Sequence, residues 1–207
     1  VLRDCRNKIP LGEIRPGVSV AHGETSVTPD SLRSACLDLR ERLLGLDMDL
    51  LDASDYFKGY LASYVQDLDS ILPRYRDILI SGMGDRAATD TNLLDFGGGV
   101  GMLALLAKTA GLAFVCHMDI SDEMTRGARN LSALLKVPID EFITCSYEDI
   151  ERSCAHRFDV IANYDVLEHL YDPEKAFIEL RKVLRDPGTI LMASGANTFN
   201  PIINLLF

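Results

Sequence analysis

The sequence predicts an α/β protein: a doubly wound, mainly parallel sheet preceded by an N-terminal helical cap. Three observations predict it. From Asn92 onward, short apolar runs ("NLLDF", "AFVCHMDI", "EFITCSY", "DVIANYD", "GTILMAS") alternate with stretches of helical period. Strand-like runs separated by helices mean βαβ units, and right-handed crossovers put helices on both sheet faces. Upstream of Asn92 the apolar residues recur at helical spacing instead. Finally, Gly97, Gly98, Gly99 and Gly101 stand between the first strand-like run and the helix after it, a bare turn at the carboxyl end of a strand.

Each segment follows in order. Residues 1–29 hold three prolines and three glycines without a sustained period and read as an irregular leader. Residues 30–89 read as the helical cap. Thr28-Pro29-Asp30-Ser31 is a helix start, and Gly45 closes the helix "SLRSACLDLRERLLGL". A second helix begins near Ser54, with a break or kink expected at Pro73. Tyr56, Tyr60 and Tyr64 recur every fourth residue along one face, suited either to packing on the sheet or to closing over a ligand. Residues 90–207 carry the α/β part.

Composition narrows the function. A chain of 207 residues holds one sizeable domain, or one with a small appendage. A formal net charge of −10 argues against a nucleic-acid complex or an anionic membrane surface as partner. No apolar run has the length of a membrane span. The five cysteines are odd in number and form no CxxC pair, which reads as reduced thiols of a cytoplasmic protein rather than a metal or disulfide framework. The chain starts at Val1 and stops soon after the fifth strand-like run, which reads as a fragment or one domain of a longer polypeptide.

The glycine loop reads Asp95-Phe96-Gly97-Gly98-Gly99-Val100-Gly101. A phosphate loop would need Gly-Lys-Ser/Thr, and Gly101-Met102-Leu103 does not supply it. A dinucleotide fingerprint survives formally over Gly99–Ala104, but it leaves Asp95 and Gly97 unexplained. Asp119 closes the second strand-like run, where a carboxylate can accept both hydroxyls of a ribose; it suits a dinucleotide and an adenosine ligand equally.

The pattern Asp-x-Gly-x-Gly-x-Gly resembles the first motif of the class I S-adenosylmethionine (SAM)-dependent methyltransferases, and "DISDEM" resembles their run after strand two. "FDVIANYDVLEHLYDPEKAFIELRKVL", with Asn163, Asp165, Glu168 and His169, resembles the small-molecule, ubiquinone-pathway O-methyltransferase type. The resemblance covers about residues 90–195 and implies a Rossmann-like methyltransferase fold whose last two strands are missing from this chain. It puts Asp95 near the methionine ammonium and Gly97, Gly98, Gly99 and Gly101 along the amino-acid part of SAM. Asp119 takes the ribose, Ile120 and Met124 flank the adenine, and Asn163 and Tyr164 complete the cofactor set. Ser146 stands where the family often has Asp; Tyr147, Glu148 or Asp149, with Glu148 favoured, takes over the contact to the exocyclic amine.

The implied reaction moves a methyl group from SAM to a small-molecule acceptor, with a hydroxyl oxygen expected. His169 is the candidate general base. Asp165, Glu168 and His169 form an alternative divalent-metal set, since three- and four-residue spacings share a face of a helical turn. Strand five is expected at a sheet edge, or covered by a partner chain or a further C-terminal segment. Two other readings stay open at this point: a non-catalytic SAM-binding module acting through protein association, and an NAD(P)-linked oxidoreductase.

Overall fold

The computed structural model describes residues 29–194. The expected leader, apart from Pro29, and the tail from residue 195 lie outside the described residues. Three helices come first: α1 (Pro29–Leu44), α2 (Asp55–Gln66) and α3 (Leu68–Met83). Gly45 ends α1 by donating its N–H to the Glu41 carbonyl at 3.0 Å. Ser54 starts α2 by accepting from the Phe57 N–H, which satisfies an amide with no partner inside the helix. The break expected at Pro73 falls instead at Asp67, whose φ of −122° and ψ of 28° leave the helix. Pro73 sits in the second turn of α3, where it forfeits one backbone bond near the helix start, so the helix runs through it.

The rest alternates strand and helix: β1 (Asn92–Phe96), α4 (Met102–Thr109), β2 (Phe114–Asp119), α5 (Asp122–Leu134), β3 (Glu141–Thr144), α6 (Ile150–Ser153), β4 (Phe158–Tyr164), α7 (Pro173–Val183) and β5 (Leu184–Ala193). The five strands pair in parallel in the order β3-β2-β1-β4-β5. The order reverses between β1 and β4. At such a reversal the connections leave to opposite faces, and a crevice opens beyond the strand tips. Among the described residues β3 and β5 are the sheet edges. The Asp186-Pro187-Gly188 segment is an irregularity within β5: Leu184 pairs with Phe158, and pairing resumes at Thr189 opposite Val160.

Side-chain alternation sorts the core into two layers. Leu93, Val115, Val160 and Ala162 face a cluster that contains α1, α3, α4 and α5. Leu94, Cys116, Met118 and Ile161 face a smaller cluster with Ile150, Leu180 and Val183 from α6 and α7. Helices α1 and α3 therefore belong to the sheet's own core: Leu32, Leu39 and Leu43 of α1 and Leu72, Leu79 and Met83 of α3 are buried in it. α2 lies further toward the strand tips, with only Phe57 and Leu61 fully buried. Among the described residues no helix is long and apolar enough to cross a membrane.

Candidate functional site

The glycine turn between β1 and α4 is held by backbone bonds and by side chains of β2. Gly98 donates to the Met118 carbonyl at 2.9 Å, and Gly101 donates to the Gly98 carbonyl at 2.8 Å. Gly99 donates to Asp119 Oδ2 at 2.9 Å. Gly99 has a φ of +53°, which suits glycine and strains other residues. A Cβ on Gly98 would lie 2.6 Å from His117 Cδ2 and 2.7 Å from Asp95 Oδ2, so any side chain there must displace the loop.

Asp95 is only 2% exposed. Its Oδ2 accepts the Ala104 N–H at 3.1 Å, serving the first turn of α4 that Gly101 has no side chain to cap. Burial pushes the Asp95 carboxyl up to about 7; Asp119 adds to the rise and the Ala104 N–H opposes it. Among the described residues no cation pairs with this carboxylate, although it borders a cavity. A buried acid at a cavity wall fits a ligand that brings its own positive charge, such as the methionine ammonium of SAM.

Asp119, at the tip of β2, ties two segments together. Oδ2 holds Gly99, and Oδ1 accepts the Ser121 N–H at 2.8 Å. Ser121 is the N-cap of α5, accepting from the Met124 N–H at 3.3 Å. Each Asp119 oxygen keeps a further lone pair for a ribose hydroxyl.

The cavity beyond these tips is about 580 Å³. Asp95, Gly97, Gly98, Gly99 and Asp119 form its floor. Ile120 and Met124 line it after β2, and Tyr147 and Glu148 after β3. Tyr164, Asp165 and His169 line it after β4, and Tyr56, Tyr60, Tyr64 and Tyr75 come from α2 and α3. Glu148 also contacts Lys175 Nζ, so its carboxylate is shared with an ion pair at the rim.

Three expected site residues lie elsewhere. Gly101 sits behind the loop, where a Cβ would be 3.3 Å from Ala128 Cβ. Asn163 is buried between β4 and β5 with its amide against Met192 Sδ, because strand alternation turns it away from the cavity. Glu168 accepts from Ser194 Oγ at 2.9 Å. The Asp165–Glu168–His169 set therefore does not converge. The segment is a single 3-10 turn over Leu167–His169, not an α-helical face, and Asp165 precedes it with a φ of +57°. Among the described residues no group of three metal-ligating side chains comes together.

His117, which belongs to no motif, is the loop's clasp. It is fully buried on β2, with Nε2 3.0 Å from the Gly99 carbonyl. A carbonyl only accepts, so Nε2 carries the proton and Nδ1 is bare, without a partner among the described residues. Burial holds this imidazole below its ordinary pKa and so neutral. The signal was a histidine at a core-facing strand position beside a glycine-rich turn. Tyr75 and Val166 also reach the cavity and carried no motif.

Comparison with known proteins agrees with this geometry. Residues 94–192 match the family described as "Methyltransferase domain". A ubiquinone biosynthesis O-methyltransferase of Neisseria meningitidis serogroup A is 29% identical over 102 residues, 49% of this chain and 43% of that protein. Its serogroup C counterpart is 28% identical over the same length. The match thus spans less than half the length of these curated relatives. An SAM-dependent methyltransferase from Clostridium acetobutylicum shares the fold with a TM-score of 0.54 at 16% identity, covering 67% of this chain and 57% of that one. The plantazolicin methyltransferase BpumL, solved with a desmethylPZN analog and SAH, shares it with a TM-score of 0.51 at 18% identity, covering 81% of this chain and 62% of its own. The glycine turn, the acids on adjacent strand tips and the match of residues 94–192 to the methyltransferase domain family together support a class I SAM-dependent methyltransferase.

Proposed function

We propose that this chain binds SAM in the 580 Å³ cavity and transfers its methyl group to a hydroxyl oxygen of a small molecule. The observation that carries the reading is Asp95, a buried carboxylate bordering the cavity and awaiting a cation. In this reading Asp95 holds the methionine ammonium and Asp119 the ribose. The bare backbone of Gly97–Gly99 lets the amino-acid part approach. Ile120 and Met124 flank the adenine, with Tyr147 and Glu148 at its edge.

SAM supplies a methyl group already activated on a sulfonium. The protein's part is to align the acceptor oxygen, exclude water and take up a proton. Among the described residues His169 is the one imidazole lining the cavity, and it takes the role of base for the acceptor hydroxyl. No step is assigned to a metal, because Asp165, Glu168 and His169 do not converge.

Calorimetric titration with S-adenosylhomocysteine (SAH), with NAD(H) alongside, tests the cofactor. Micromolar SAH binding, weakened about tenfold or more in Asp119→Ala through two lost charge-assisted contacts, is the expected result. Binding of NAD(H) alone would replace this reading with the oxidoreductase one. His169→Ala should slow methyl transfer about 100-fold while SAH affinity holds. SAH binding with no transfer to any acceptor would favour the non-catalytic module.

A further inference from the structure

A second cavity, about 320 Å³, abuts the first on its β4 side. The two share Tyr60, Tyr64, Tyr75, Tyr164 and Asp165. The proposed function, on which this inference rests, orients the cofactor: ribose at β2, ammonium at β1. The reacting methyl then points toward the β4 side, where the second cavity lies.

The lining of that cavity describes its occupant. Four phenol rings surround it. Tyr60 and Tyr64 have centroids 5.7 Å apart, and Tyr75 meets Tyr164 edge-on at 5.6 Å. Such rings recognise a flat aromatic partner by stacking and edge contacts. Among the described residues Ile71 is the sole aliphatic side chain in the lining, which does not suit a long lipid tail. Arg74 is the one cation lining either cavity among the described residues. Its Nη1 donates to Tyr164 Oη at 3.1 Å and its Nη2 to Ser70 Oγ at 2.7 Å. Both partners are neutral, so the guanidinium keeps its charge and further N–H groups for an anion. Asp67 and Asp165 line the same space. They repel negative charge elsewhere in it and leave Arg74 as the place for a single carboxylate.

We propose that this second cavity is the acceptor subsite, and that it takes a compact aromatic hydroxy acid with its carboxylate on Arg74 and its hydroxyl toward the first cavity. Transfer then forms the aryl O–CH3 bond as the sulfonium carbon–sulfur bond breaks. The hydroxyl proton leaves to His169, and SAH remains.

The test uses the whole chain saturated with SAH, titrated with 3,4-dihydroxybenzoate and, separately, with its uncharged analogue 3,4-dihydroxybenzamide. The expected result is at least tenfold tighter binding of the carboxylate. That preference should vanish in Arg74→Met and partly return in Arg74→Lys, with SAH affinity the same in all three. Equal affinity for the two probes, binding of neither, or a preference that survives Arg74→Met would overturn the assignment. Failure of SAH itself to bind would instead sink the cofactor reading, and this inference with it.

Discussion

The floor and the tyrosine wall of the site are built on different principles. The floor is backbone pinned by hydrogen bonds to β2. Gly98 is bonded to β2, Gly99 to Asp119, and the Gly99 carbonyl to His117. The wall is side chains presented by a helix whose place depends on packing. Phe57 of α2 lies over Gly127 of α5, where a Cβ would come within 2.3 Å of the ring. Ser54 contacts Glu123, and Asn130 donates to the Asp52 carbonyl at 2.6 Å. The floor has almost no room to adjust, whereas the wall can shift as a unit. Damage to the floor should therefore remove cofactor binding, and damage to the wall should reduce turnover first.

The largest effect is expected from Gly98→Ala. The new methyl meets His117 and Asp95 at under 3 Å, so loop, clasp and acid cannot all stay in place. Overpacking of this kind costs about 1–3 kcal/mol of stability, and here it also displaces the amides that face the ligand. SAH binding by calorimetry should fall below detection. Near-native affinity would show that the loop is softer than its hydrogen bonds imply.

Gly127→Ala probes the wall. Its methyl pushes on Phe57 and so on the helix that carries Tyr56, Tyr60 and Tyr64. Misplacing such groups costs about tenfold to 100-fold in rate, because alignment is most of what the protein supplies. SAH affinity should change far less than turnover. Equal losses in both would mean that wall and floor move as one body, and the contrast between them would fail.

The same contrast decides what could be read in the sequence. β1 to β4 and the helices between them are legible because their period and punctuation are local. "NLLDF" followed by glycines can form little else than a strand and a tight turn. Asp95 and Asp119 are legible for the same reason, as acids at strand ends. Pro73 misled because the cost of a proline depends on how far it lies from the helix start, and Asp67 carried no marker of the true break. Asn163 misled because a residue next to a strand tip can face either side of the sheet, and only the register with β5 fixes which. Asp165, Glu168 and His169 were read on one face of a helical turn; the 3-10 turn covers only Leu167–His169, and among the described residues no group of three metal-ligating side chains comes together. Arg74 and Tyr75 carried no motif, since their place at the site depends on how α3 packs against β4.

The smallest effect expected, and the sharpest in sign, concerns Asp95. Its carboxyl titrates near 7 in the folded chain, against 3.8 for an unperturbed group. Between those values the folded state holds the extra proton, so this group lowers stability as the pH rises from about 4 to 7 and no further above that. Asp95→Asn keeps an acceptor for the Ala104 N–H and removes the buried charge. Unliganded Asp95→Asn should therefore gain melting temperature relative to the parent chain as the pH rises from 5 to 8. Ligand binding should show the opposite slope. An incoming ammonium requires the charged carboxylate, so SAH affinity should weaken toward tenfold per pH unit below 7. Burial holds the His117 imidazole below its ordinary pKa. The exposed His169 also borders the cavity, and repeating the titration in His169→Ala isolates the Asp95 contribution. In Asp95→Asn the slope should vanish and the affinity at pH 8 should drop. A slope that persisted in Asp95→Asn would assign the proton to another group and would leave the floor's only buried acid without its partner.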